Sequence, residues 1–77
     1  MPHFYIDAII DGEAMPDPEG IELDNRAVAR MEAVRAAAEM VKDRHLVGNA
    51  RQITVSVREG RGPVVAIRLS LKIEDVA

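Results

Sequence analysis

The chain has no cysteine and no tryptophan, with a single tyrosine and a single phenylalanine. Without cysteine, no disulfide or thiolate-held zinc can brace a body of 77 residues. Its stability must come from one small core, or from a core shared with another chain. The absence of thiols also fits a reducing, cytoplasmic setting. No stretch approaches the ~18–20 consecutive apolar residues that cross a bilayer, and the N-terminus has neither the basic start nor the apolar run of a signal peptide. The expectation is a soluble, cytoplasmic protein with no membrane association.

Basic residues are missing from the first third of the chain. Residues 1–25 hold seven acids (Asp7, Asp11, Glu13, Asp17, Glu19, Glu22 and Asp24) and no Lys or Arg. Residues 26–77 hold all ten bases against six acids, so the two parts carry −7 and +4 within a net charge of −3. Such a split offers complementary patches for self-association or a partner. The mild overall acidity argues against non-specific nucleic-acid binding as the main task.

Phe4 to Ile10 reads as a strand, with Phe4, Ile6, Ala8 and Ile10 on one face and Tyr5, Asp7 and Ile9 on the other. Asp11-Gly12 is a strong turn signal. Pro16 and Pro18 have no backbone donor, so residues 11–23 read as an acidic loop or sheet edge, with a short strand at Ile21 to Leu23. Asp24 or Asn25 can cap the helix that follows. That helix is expected over residues 25–45, because Arg26 to Arg44 has no Gly or Pro and is rich in Ala, Met, Glu and Arg. Ala27, Met31, Val34, Ala38 and Val41 fall on one stripe, expected to face the core, with Arg26, Arg30, Arg35, Glu39 and Lys42 opposite. Gly48-Asn49 suits a C-terminal cap. Alternation of Ile53, Val55 and Val57, then of Val65, Ile67, Leu69, Leu71 and Ile73, predicts an antiparallel hairpin over 52–73 with its turn at Glu59 to Pro63.

The expected fold is a single α+β domain over residues 1–77. It has two layers, an antiparallel three- to four-stranded sheet with one helix packed on one face, in ββαββ order. The uncovered face would show Tyr5, Ile9, Val64 and Ala66 among polar neighbours, a surface suited to a homodimer. The last strand is a candidate edge for pairing with a second chain.

Few residues point to chemistry. Nucleophilic catalysis needs a nucleophile beside an oriented base, but Ser56 and Ser70 lie on expected strands outside any G-x-S-x-G turn, and His3 and His45 stand alone. Counting a calcium loop from Asp17 puts Glu22 where the turn glycine belongs and Val28 where the bidentate Glu belongs, so that motif fails. There is no phosphate-binding glycine loop; Gly60-Arg61-Gly62 is a hairpin turn. Tyr5, Arg58, Arg68 and Lys72 share one face and could meet a single-stranded nucleic acid, although one aromatic makes a thin stacking platform. Asp17, Glu19 and Glu22 in the acidic loop could meet a protein. No catalytic, cofactor-binding or metal-ligating residue is assigned, and neither an enzyme nor a cofactor is expected.

Met1-Pro2-His3-Phe4-Tyr5-Ile6-Asp7, Asp11-Gly12 and Asp17-Pro18-Glu19-Gly20-Ile21-Glu22-Leu23, followed by an Ala/Arg/Glu-rich helix, resemble a family of small alphaproteobacterial proteins of the rhizobial type. That family is a domain of unknown function, with an MPRYFF-like start and a D-x-EG-x-EL-like segment before its helix. The resemblance covers nearly the whole chain; it departs at Asp24, where relatives often have Pro, and at Ile9-Ile10. It implies a source and an architecture but no chemistry. Pro16-Asp17-Pro18-Glu19-Gly20 before the helix also resembles HicB-type antitoxins, which use a partial RNase H-like fold. The expected role is a non-enzymatic protein–protein interaction or regulatory module. It would be homodimeric, with an unidentified protein partner. Neutralising a small basic toxin, or weakly binding single-stranded nucleic acid, are the alternatives.

Overall fold

The computed structural model describes residues 1–44, 51–72 and 74–76. Within them the chain runs β1 (His3–Ile10), β2 (Glu13–Met15), β3 (Ile21–Glu22), α1 (Arg26–Arg44), β4 (Arg51–Glu59) and β5 (Gly62–Leu71). All pairings are antiparallel, in the order β2-β1-β4-β5, with β3 also on β1. The class is the expected α+β arrangement of one helix and one antiparallel sheet. It has one short strand more than the sequence reading had, because the chain pairs again directly after the Asp11-Gly12 turn. Asp11 (φ 49°) and Gly12 (φ 85°) both take the left-handed conformation of a two-residue type I′ turn, which places Glu13 opposite Ile10. His45, the Gly48-Asn49 cap and Ile73 lie outside the described residues.

Asn25 is the residue that caps α1. Its Oδ1 accepts the Val28 N–H at 2.9 Å and its carbonyl accepts the Ala29 N–H at 3.1 Å, which satisfies two donors of the first turn.

Paired residues share a sheet face, so the register fixes what each face shows. Ile10, Ile53 and Leu69 form one row, Ala8, Val55 and Ile67 the next, then Ile6, Val57 and Val65. Phe4, Val55 and Val57 are fully buried on this face beneath α1, and the helix meets them with Ala29, Ala33 and Ala37. Each large side chain buried here contributes roughly 1.5–3 kcal/mol.

This overturns the expected core stripe. Met31 and Val34 are 71% and 51% exposed, while Ala29, Ala33 and Ala37 are at most 2% exposed. Eleven of the nineteen residues of α1 are apolar, so two stripes satisfy the helical period. The sheet already supplies Phe, Ile and Val bulk. A ridge of methyl groups at steps of four lets the helix backbone settle close on it, whereas Met and Val there would overfill the layer. Only Val41 of the expected stripe packs against the core.

Val64 is a second correction. Val57 pairs with Val65 but Arg58 pairs with Pro63, so Val64 is an extra residue in a β-bulge. The bulge breaks strict alternation, and Val64 packs against the core cluster rather than standing on the open face. Pro63, which cannot donate to the ladder, sits beside it at the start of the edge strand β5.

Candidate interaction surface

Asp17 organises the acidic loop. On the outer edge of β1, β3 serves His3 and Phe4 while β2 serves Ala8 to Ile10, leaving a gap between them. Asp17 fills it. Its Oδ2 accepts the Ile6 N–H at 3.1 Å, in place of a strand carbonyl, and its own N–H donates to Asp7 Oδ1 at 2.8 Å. Its Oδ1 accepts the N–H groups of Gly20 (2.9 Å) and Glu19 (3.2 Å), which closes the loop around Pro18. These donors hold the Asp17 carboxyl below the usual range, the Gly20 N–H most strongly, against a smaller opposing effect of burial. Gly20 (φ 71°) completes the corner, where a Cβ would lie 2.5 Å from His3 Nε2 and 2.7 Å from the Phe4 carbonyl oxygen. The Asp17-Pro18-Glu19-Gly20 segment is therefore a structural clasp.

Tyr5, Asp7 and Arg58 meet on the open face beside it. Arg58 lies 4.2 Å over the Tyr5 ring, and its Nε donates to Asp7 Oδ2 at 2.8 Å. The Asp7 hydrogen bond holds the guanidinium more firmly protonated than usual. His3 stacks obliquely on Tyr5 at 5.1 Å between centroids, and its Nε2 donates to the Glu19 carbonyl at 2.7 Å. One face of the only tyrosine is thus already occupied by a cation.

Of the residues singled out from sequence, Tyr5, Asp17 and Arg58 come together. Glu19 joins them through its backbone, and Glu22 lies exposed opposite His3. Arg68 does not join them. It pairs with Thr54, which faces Ile9, four residues along from the Tyr5–Arg58 pair, or about 14 Å at the rise of a strand. Lys72 follows the end of β5, largely exposed, with its Nζ 4.0 Å from Glu74. The row of cations expected on the open face is therefore dispersed. Among the described residues no three of His, Asp and Glu converge closely enough to hold a metal ion, and no helix is long and apolar enough to cross a membrane.

The surface that sequence reasoning misplaced is the outer side of α1. Ala27, Met31, Val34 and Ala38 are all exposed there, and Ala27, Arg30, Met31 and Val34 line a shallow, predominantly apolar groove. Arg26 and Arg30 stand on one flank. Arg26 reaches Glu59 of β4 at 3.2 Å. On the other flank Arg35 donates to Glu32 at 2.7 Å, a contact that raises the Arg35 pKa. The signal for this arrangement was present in Ala29-Ala33-Ala37, a second series with the same period.

A family model described as a domain of unknown function (DUF6894) matches residues 3–70. No curated protein and no solved structure matches the chain.

Proposed function

We propose that this chain, which belongs to the DUF6894 family of domains of unknown function, is a non-enzymatic protein–protein interaction or regulatory module whose contact surface is the outer side of α1. One observation carries the reading: a helix whose inner alanine ridge is buried presents Met31 and Val34 to solvent at 71% and 51% exposure. Scattered apolar residues on a surface are ordinary, but a periodic stripe with charged flanks is the form a partner helix recognises. In so small a domain, leaving it bare lowers solubility with no return in core packing.

The alternatives draw less support. An antitoxin-like role through the acidic loop keeps the exposed Glu13, Glu19 and Glu22 but not Asp17, whose carboxylate is turned into the loop and accepts three backbone N–H groups. Stacking a nucleic-acid base on the Tyr5 face that Arg58 covers would have to displace Arg58 from the ring and from Asp7, and His3 packs obliquely against the same ring.

A photo-crosslinking amino acid placed at position 31, and separately at position 66 on the open sheet face, tests the reading in cells. Protein adducts formed from 31 and not from 66 are expected. Adducts from 66 alone, or from neither, would overturn it.

A further inference from the structure

We infer that the outer stripe of α1 is completed by the same stripe of a second copy, the two helices lying antiparallel about a two-fold axis midway between Met31 and Val34. The inference rests on the interaction reading above and names its partner. Ala27, Met31, Val34 and Ala38 recur at steps of four, three and four, the spacing of a coiled-coil seam. Read in either direction the stripe is small, large, large, small. A two-fold axis at its centre sets Met31 level with the partner's Val34 and Ala27 level with the partner's Ala38, so each large side chain meets a large one and each methyl a methyl. An isologous contact requires this self-complementarity. A parallel pair would also match size with size, Met31 on Met31 and Ala27 on Ala27, so charge decides between the two.

Charge agrees with the antiparallel choice. The same axis passes beside the Glu32–Arg35 pair, whose members are 2.7 Å apart within one helix. It brings this flank of one helix along the same flank of the other, so each Arg35 comes about 3 Å along the axis from the partner's Glu32, the two arginines bracketing the two acids, whereas a parallel pair would set Arg35 beside the partner's Arg30. Further out, Lys42 comes within about one residue of the level of the partner's Asp24, which lies just before the partner's helix. On the opposite flank Arg26 is already held by Glu59, and the stem of Arg30 can lie along the partner's apolar surface. A seam of four apolar residues per helix is short, so the association belongs to the weak class, with a Kd of roughly 10–100 μM.

The absence of native cysteine makes the register directly readable. Full-length wild type is examined by light scattering from about 5 μM to 1 mM, alongside Val34→Glu. Ala27→Cys and Ala38→Cys proteins are then mixed and treated with a short bis-maleimide. The expected results are a concentration-dependent dimer, at least a hundredfold weaker association for Val34→Glu with an unchanged far-UV circular dichroism spectrum, and a crosslink between positions 27 and 38. Residues 27 of two antiparallel copies would lie about 16 Å apart along the axis, from eleven residues at 1.5 Å each, so a dominant 27–27 crosslink overturns the geometry. Monomer at every concentration, or an undiminished Val34→Glu dimer, overturns the inference. If wild type stays monomeric while the photo-crosslinker at 31 still captures another protein, the self-partner is wrong and the interaction reading stands. If neither occurs, both fall.

Discussion

Replacing Asp17 with alanine should cost the domain much of its stability although the residue sits in a loop. The carboxylate accepts three backbone N–H groups, from Ile6, Glu19 and Gly20. Hydrogen bonds to a charged acceptor are worth about 1.5–3 kcal/mol each when shielded. Those from Glu19 and Gly20 can be partly replaced by water, whereas the Ile6 donor lies in the ladder gap between β2 and β3. A combined loss of about 2–4 kcal/mol follows, from a total of roughly 4–12 kcal/mol for a chain of this length. At about 4–8 °C per kcal/mol for small domains, the melting temperature should fall by roughly 8–32 °C. Thermal melts followed by far-UV circular dichroism measure this, since the chain has no tryptophan. The pH dependence supplies an independent check. The folded-state pKa of Asp17 lies below 3.8, so its stabilisation is fully present above that value and is lost as pH falls through the lower, folded value. Asp17→Ala should therefore lose part of the acid sensitivity of wild type in that window. An Asp17→Ala protein melting within about 2 °C of wild type at neutral pH would refute the clasp.

Three further substitutions have contrasting controls. Gly20→Ala should destabilise by more than 2 kcal/mol, because its Cβ meets His3 and the Phe4 carbonyl, while Gly12→Ala, with open space around it, should cost only about 1 kcal/mol for its positive φ; equal losses in denaturant titrations would contradict this. Ala33→Leu should cost about 1–3 kcal/mol or more by overfilling the helix–sheet layer, whereas Ala38→Leu should leave stability within about 0.5 kcal/mol, as urea unfolding will show. Asn25→Ala should lose about 1 kcal/mol with its cap, and Asp24→Ala distinctly less, by the same assay.

Much of this fold was legible in the sequence because strong local signals agreed with one another. Alternation along residues 4–10, 53–57 and 65–71 fixed which side chains face the helix, and Asp11-Gly12 fixed the first hairpin turn. The absence of Gly and Pro from Arg26 to Arg44 marked that stretch as helix. What was not legible depended on partners distant in sequence. The rotation of α1 about its axis could not be read from its own pattern, since both stripes have the helical period; the bulk of Phe4, Val55 and Val57 across the layer decided it. Val64 was misplaced because a bulge shifts alternation without a sequence mark stronger than the neighbouring Gly62-Pro63. Asp17 looked like one acid among seven. Its role follows from Pro16 and Pro18, whose missing donors keep a regular strand from running past Ile6 and leave a side chain to take that N–H. On the open face, side-chain parity was right but the register spread Arg68 and Lys72 away from Tyr5.

The orientation of α1 can be tested most directly by introducing a charge on each stripe separately. Val34→Glu and Ala33→Glu are compared by thermal unfolding at about 5 μM, where monomer is the majority species. Val34 is half exposed and Ala33 fully buried, so Val34→Glu should melt within a few degrees of wild type and Ala33→Glu should fail to fold. The reverse, an unfolded Val34→Glu and a tolerant Ala33→Glu, would mean that Met31 and Val34 face the sheet and that no apolar stripe is left for a partner.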